Sequence, residues 1–196
     1  MNPLDLTTAL LGLAYIWLEY RASIWMWLVG FVMQALGIVL YYQKGLYADC
    51  GMEFYYLAMT VYGYLAWRGI SRRRHRSSAD TPSPTPITHF PRCLILPWVL
   101  LILTLWAGIY TLLVCLTDST VPLADSFTTA LSIVGIWALA RKYLEQWWIW
   151  LAVDAVTCGL YFYKGIPFKA SLYGLYVVIA IAGYHKWRKQ CVGREE

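Results

Sequence analysis

WWIWLAVDAVTCGLYFYKG, residues 147–165, is almost wholly apolar or aromatic and contains a single carboxylate, Asp154. A helix crossing a bilayer needs roughly 17–25 apolar residues, and this stretch reaches that length only by taking a charge into the hydrocarbon. The rest of the chain repeats the pattern. Over 196 residues, 60% are hydrophobic and 14% charged, with a mean hydropathy of +0.51, too apolar for a water-soluble domain of this size. No segment alternates with the period of two that a membrane barrel strand requires. The chain is therefore read as an all-α integral membrane protein. Seven transmembrane helices are predicted, at 4–20, 25–43, 51–68, 93–116, 126–143, 147–163 and 171–187.

Sliding the chain along itself by 120 residues brings the opening stretch onto an earlier one. Trp27 meets Trp147, Gln34 meets Asp154, Tyr41 meets Tyr161, and Lys44-Gly45 meets Lys164-Gly165. Further along, Tyr56 meets Tyr176, and Gly63-Tyr64 with Trp67-Arg68 meets Gly183-Tyr184 with Trp187-Arg188; Arg21 also meets Arg141. One gapless register with matched tryptophans is the mark of an internal duplication. Residues 1–70 are the first three-helix repeat, 71–92 a cytoplasmic linker, 93–116 a bridging fourth helix, and 117–196 the second repeat with a cytoplasmic tail. One extra helix between two three-helix units lets both run the same way through the membrane. This 3+1+3 plan of parallel repeats is similar to the SWEET-type arrangement, in which substrate sites lie at the repeat interface near the midplane.

Lys and Arg set the orientation. Thirteen of the 16 fall after odd-numbered spans or in the C-terminal tail, and only Lys44, Lys164 and Lys169 fall on the other side. This places the N-terminus outside and the C-terminus in the cytoplasm. The net charge of +5 then reflects a membrane-facing cytoplasmic surface rather than a nucleic-acid partner, and the run Arg72–Arg76 is a solvated anchor. The segment 71–92 is rich in Ser, Thr, Pro and Arg and has too little apolar surface to fold alone. The first span has no basic n-region or cleavage site and is expected to remain in the mature protein. The five cysteines stand singly, without a CxxC pair, and read as packing residues. No cofactor or metal is expected. His75, His89 and His185 lie in the linker or at a cytoplasmic end, and no Walker A loop or HExxH pattern occurs, which argues against an enzyme. A receptor without transport remains the other class of reading.

On a helix, Trp147, Trp150 and Asp154 form one stripe at i, i+3 and i+7, and the first repeat answers with Trp27, Gly30 and Gln34. A carboxylate at that depth costs roughly 2.5–3.5 kcal/mol, so it faces a water-filled cavity or a partner. A structural ion pair is the plainer explanation. No Lys or Arg lies within two turns on the same helix, and Asp is too short to reach the interface. Glu53 is the second acid inside an apolar segment, and Thr60 lies seven residues after it on the same span. Tyr41, Tyr56 and Tyr161 belong to a crowd of tyrosines at the outer ends of both units, some of them interfacial belt residues. Carboxylates beside Trp and Tyr faces suit a flat, cationic, aromatic ligand.

The stretches 125–165 and 171–189 resemble the C-terminal half of the PnuC-type vitamin transporters, and GLYADCGMEFYYLAMTVYGYLAW, residues 45–67, resembles their third span. The resemblance covers both repeats. It implies facilitated uptake of a phosphate-free vitamin or precursor by alternating access in the bacterial cytoplasmic membrane. It also implies trapping by cytoplasmic phosphorylation and a homotrimer held in membrane lipid. The family's nicotinamide riboside carriers are marked by W-x2-W-x3-N. Here Trp147 and Trp150 are kept, but Asp154 stands at the last place, and Glu53 stands where the family has a third-span Gln. Two amides have become two acids, which puts thiamine first as the expected cargo and nicotinamide riboside second.

Overall fold

The structure is a computed structural model that describes residues 3–43, 47–75, 86–117 and 121–192. Among these there are seven α-helices and one short 3₁₀ turn: α1 Pro3–Tyr20, α2 Trp25–Gln43, α3 Tyr47–His75, the turn Arg92–Leu94, α4 Ile95–Leu116, α5 Pro122–Ala140, α6 Gln146–Tyr163 and α7 Pro167–Val192. Each expected span has its helix. By length and composition alone, four of them are apolar enough to cross a membrane: Trp25–Gln43, Arg92–Leu116, Pro122–Ala140 and Pro167–Cys191. Of the expectations, Lys44, Gly45, Arg76, Arg194 and the middle of the linker lie outside the described residues.

The boundaries correct the sequence reading in three places. Helix α3 runs on through His75, so the first residues assigned to the linker are helical; the Arg-rich end contains no breaker after Gly69, and Arg is a good helix former. Helix α5 starts at Pro122, where a missing N–H costs nothing, and stops at Ala140 instead of 143 because Lys142 is left-handed, with φ 56°. Helix α7 likewise starts at a proline, Pro167, after Gly165 turns the chain with φ 69°.

The chain divides into two compact units, residues 1–86 with 139–141, and residues 87–138 with 142–196. Each unit contains a pair of tightly packed helices, α2 with α3 and α6 with α7, and the same local geometry recurs in both 120 residues apart. Ala22 and Lys142, at equivalent positions, are the non-glycine residues with positive φ, at 52° and 56°, among the described residues. Across the first turn, the Ser23 N–H donates to the Leu18 carbonyl at 2.9 Å; across the second, the Tyr143 N–H donates to the Ala138 carbonyl at 3.1 Å. These six-to-one bonds satisfy the last carbonyls of α1 and α5 and reverse the chain into the next helix. An L-residue held left-handed carries a local cost that glycine avoids. Ala22→Gly is therefore expected to stabilise the protein by roughly 0.5–1 kcal/mol, net of the extra chain entropy of glycine, read as a higher midpoint in thermal unfolding in detergent.

Tryptophans hold each pair of helices. Trp27 is buried on Gly63 and meets Trp67 edge to face at 5.5 Å and 90°; Trp147 is buried on Gly183 and meets Trp187 at 5.5 Å and 89°. Glycine is needed here because the ring lies where its Cβ would be. An added Cβ at Gly183 would come within 2.5 Å of Trp147, and one at Gly63 would collide with Trp27. Trp67 also donates from Nε1 to the Ala140 carbonyl at 3.1 Å, within the first unit.

Elsewhere the two units keep a contact and exchange its partners. In the first, the Tyr15 ring lies on Gly30; in the second, the ring of Trp150, the equivalent of Gly30, lies on Gly135, the equivalent of Tyr15. The Cys50 thiol faces the Ile38 carbonyl at 3.7 Å, and the Cys158 thiol, at the position equivalent to 38, faces the Ala170 carbonyl at 3.2 Å, at the position equivalent to 50. Close packing fixes the sum of the two side chains at a contact, not which helix supplies the larger one. No disulfide joins the cysteines.

The far end of the linker is ordered in the second unit. Thr88 pairs with the α5–α6 turn through its N–H to the Lys142 carbonyl at 3.2 Å and its carbonyl to the Leu144 N–H at 3.0 Å. Glu145 accepts from the Phe90 N–H at 2.8 Å and lies 2.9 Å from His89 Nδ1. Helix α4 has no buried residue, as suits a helix whose surroundings are hydrocarbon.

Candidate functional site

Helix α6 begins with the backbone N–H of Trp147 bonded to the Leu144 carbonyl at 3.3 Å, and from there its residues rise about 1.5 Å each. Gln146, Trp147, Val153 and Asp154 are its buried positions. Asp154 is only 6% exposed. No hydrogen-bond or ion-pair partner reaches it among the described residues; Tyr176 on α7 lies close enough to feel its charge. The structural ion pair, the alternative to a binding site, is therefore not found among those residues. Trp150 lies half-buried over Gly135, and its Nε1 is sealed from solvent without an acceptor. Trp147 packs against α7, and its Nε1 is likewise without an acceptor.

Above Asp154 the tyrosines assemble. Tyr161 stacks on Tyr173 at 5.4 Å and 20°, and Tyr173 meets Tyr176 edge-on at 5.5 Å. The Lys169 ammonium sits 5.3 Å from the Tyr161 ring centre, a cation on an aromatic face of the kind expected for cargo. The second unit thus brings Asp154, Trp150, Trp147 and Tyr161 onto one helix, with Tyr173 and Tyr176 facing them from α7. A largely apolar groove of about 290 Å³ between α6 and α7 lies elsewhere, lined by Trp147, Trp148, Leu151, Ile181, Tyr184 and Arg188, and does not include Asp154.

In the first unit, Gln34 is half-buried on α2. The Glu53 carboxyl group rests on Gly37, where an added Cβ would come within 2.7 Å of Cδ, and Thr60 is buried 3.6 Å from the Cβ position of Gly30. Glu53 and Thr60 therefore lie along one face of α3 against glycines of α2, which have been kept small to admit them. Tyr56 is half-buried and meets Tyr55 at 5.7 Å, and Tyr41 is half-buried near the end of α2. Trp27 is taken up in the α2–α3 packing.

One residue, Gln146, escaped the sequence reading, and another, Tyr176, was seen there only as one of the tyrosine crowd and as the equivalent of Tyr56. Tyr176 lies close enough to Asp154 to feel its charge. Gln146 is fully buried, with both amide atoms lacking a partner; its signal was a polar residue aligned with an apolar one, Met26. Among the described residues, no cluster of three His, Cys, Asp or Glu could hold a metal ion.

Comparison with known proteins gives this architecture its class. The sequence model of a family described as "Nicotinamide mononucleotide transporter" matches residues 2–189. The chain is similar to the nicotinamide riboside transporter PnuC of Escherichia coli (strain K12), 23% identical over 196 residues, covering 90% of this chain and 81% of that one. It is also similar to the riboflavin/roseoflavin transporter RibM of Streptomyces davaonensis, 27% identical over 191 residues, covering 93% and 83%. A crystal structure of the vitamin B3 transporter PnuC superposes with a TM-score of 0.71 at 21% identity, covering 94% of this chain and 80% of that one. The protein is a multi-pass membrane transporter of the vitamin class. It belongs to the PnuC family.

Proposed function

We propose that the protein takes up a positively charged, phosphate-free vitamin or vitamin precursor by facilitated diffusion, with nicotinamide riboside as the first cargo. The observation that carries this is Asp154, a buried carboxylate with no protein counter-charge among the described residues, set between Trp150 and a tyrosine cluster on the α6–α7 pair. A carboxylate in that setting is matched by a cation with aromatic faces. The sequence alone put thiamine first. The relatives reverse that order, since those named for a cargo carry nicotinamide riboside or riboflavin. Thiamine stays as the second reading on one observation: acids, Asp154 and Glu53, stand where the riboside pattern has amides. Riboflavin is neutral and gives Asp154 nothing to balance.

In this reading Asp154 is the counter-ion of the second unit, where Trp150, Tyr161 and Tyr176 offer ring faces and Trp147 supports them; Gln34, Glu53, Thr60, Tyr41, Tyr56 and Trp27 are the first unit's own binding candidates. The recurrence of the Trp–Gly contacts supports two parallel three-helix repeats joined by α4, with boundaries at 70, 92 and 116. The charge asymmetry supports an outside N-terminus and a cytoplasmic C-terminus in the inner membrane. The homotrimer is carried over from the family resemblance.

Calorimetry with nicotinamide riboside, thiamine and riboflavin on the purified protein tests the cargo, and tightest binding of riboflavin overturns the cationic reading. Vesicles preloaded with unlabelled cargo are expected to exchange it for labelled cargo without ATP, sodium or a proton gradient. Accumulation that depends on an imposed gradient would show coupled transport instead.

A further inference from the structure

We infer that Gln146 is a specificity-determining residue of the cargo path, its carboxamide pairing with a planar donor–acceptor edge of the cargo such as a carboxamide, an aminopyrimidine or an imide. The inference rests on the vitamin-carrier reading above and extends it one turn before Trp150. Gln146 is 0% exposed, and neither Oε1 nor Nε2 has a hydrogen-bond partner among the described residues. An amide has two donors and an acceptor, and folded chains leave very few such groups buried without partners.

The duplication supplies an internal control. The equivalent residue of the first unit is Met26, also 0% exposed. The same slot is thus filled by an unbranched apolar chain of similar size, so packing alone does not call for an amide. The rest of the helix supplies the reason for one. Gln146, Trp150 and Asp154 stand at i, i+4 and i+8, about 6 Å apart along the axis and within an arc of about 80°. Gln146 and Trp150 have buried polar atoms without a hydrogen-bond partner among the described residues, and Asp154 completes the row as a carboxylate only 6% exposed. Together they form a track about 12 Å long, the length of one small vitamin. At the equivalent places the first unit has Met26, Gly30 and Gln34, with one polar residue of the three, so the track is concentrated in the second unit. Because Gln146 is sealed in this conformation, the contact forms only when the path opens at the N-terminal end of α6.

Gln146→Met transplants the first unit's own residue and tests the inference by two readouts, unfolding midpoint and uptake. Since it removes an unpartnered buried amide and keeps the shape, the unliganded midpoint is expected to hold or rise. The midpoint increase that cargo gives to the parent should fall by more than half, and the KM for uptake should rise about tenfold or more. Nicotinamide riboside, thiamine and riboflavin serve as probes, each with a planar donor–acceptor edge. A variant with the parent's KM and the parent's cargo-induced shift overturns the inference and leaves the vitamin-carrier reading intact. A variant that unfolds more easily overturns it too, because the amide then has a structural partner. A parent that binds and carries none of the three probes overturns the carrier reading and this inference together.

Discussion

Asp154→Leu is expected to reduce affinity for the cationic cargo by well over tenfold while the protein still folds. Asp154 is 6% exposed and has no cation to release among the described residues, so removing it strands no buried charge there in the empty protein. In the loaded protein the cargo's charge loses its counter-ion in a low-dielectric path. Truncating one partner of a desolvated charge pair costs roughly 2–5 kcal/mol, and each 1.4 kcal/mol or so is tenfold in affinity. Asp154→Asn separates the two cargo readings, since it keeps the size and one acceptor but removes the charge. It also restores W-x2-W-x3-N at Trp147, Trp150 and residue 154. Both cations lose the counter-charge in the Asn variant, but nicotinamide riboside binding is expected to fall less than thiamine binding, because the restored pattern offers the riboside an amide hydrogen bond in its place. Calorimetry with both ligands on the parent and both variants measures it. If the Leu variant binds cargo as tightly as the parent, Asp154 is a packing residue and the cationic reading loses its main support.

Gly183→Ala is expected to be the most damaging single-methyl change in the second unit. The new Cβ would lie 2.5 Å from the Trp147 ring, which is itself buried and held edge-on by Trp187, so neither partner can step aside without opening the α6–α7 contact. Overpacking of a tight core costs typically 1–3 kcal/mol, and more is expected here because the obstacle is a rigid ring. Gly63→Ala should act alike through Trp27. Gly108→Ala and Gly159→Ala are the controls: nothing lies within 4 Å of either added Cβ, and alanine is the better helix former, so both should leave the unfolding midpoint level or raise it. Pairing Gly183→Ala with Trp147→Phe should recover part of the loss. Uptake should fall with the midpoint in the damaged variants, since Trp147 adjoins Gln146 and shares α6 with Asp154. Equal midpoints for Gly183→Ala and Gly159→Ala would show that the Trp147 contact does not hold the helices together.

Much of the protein could be read from its sequence because a bilayer simplifies the problem. Long apolar segments must be helical when no water is present to satisfy the backbone, so the seven spans followed from hydropathy, while the 120-residue register and the family resemblance rested on particular residues and motifs. Asp154 was visible for the same reason: a charge stands out where almost nothing else is polar. Which face of a helix meets protein was not legible, because lipid and protein interior are both apolar and the usual amphipathic contrast is missing. Only packing revealed that Trp27 and Trp147 lie on glycines of the neighbouring helix, and that Tyr15 and Gly30 exchange sizes with Gly135 and Trp150. The ends of α3 and α5 were set by backbone geometry, through an Arg-rich helical run and a left-handed Lys142. Gln146 lies one residue before the span read from the sequence, 147–163, and drew no reading there. Its significance came from burial and from missing partners, both of which depend on every atom around it and on no property of its own.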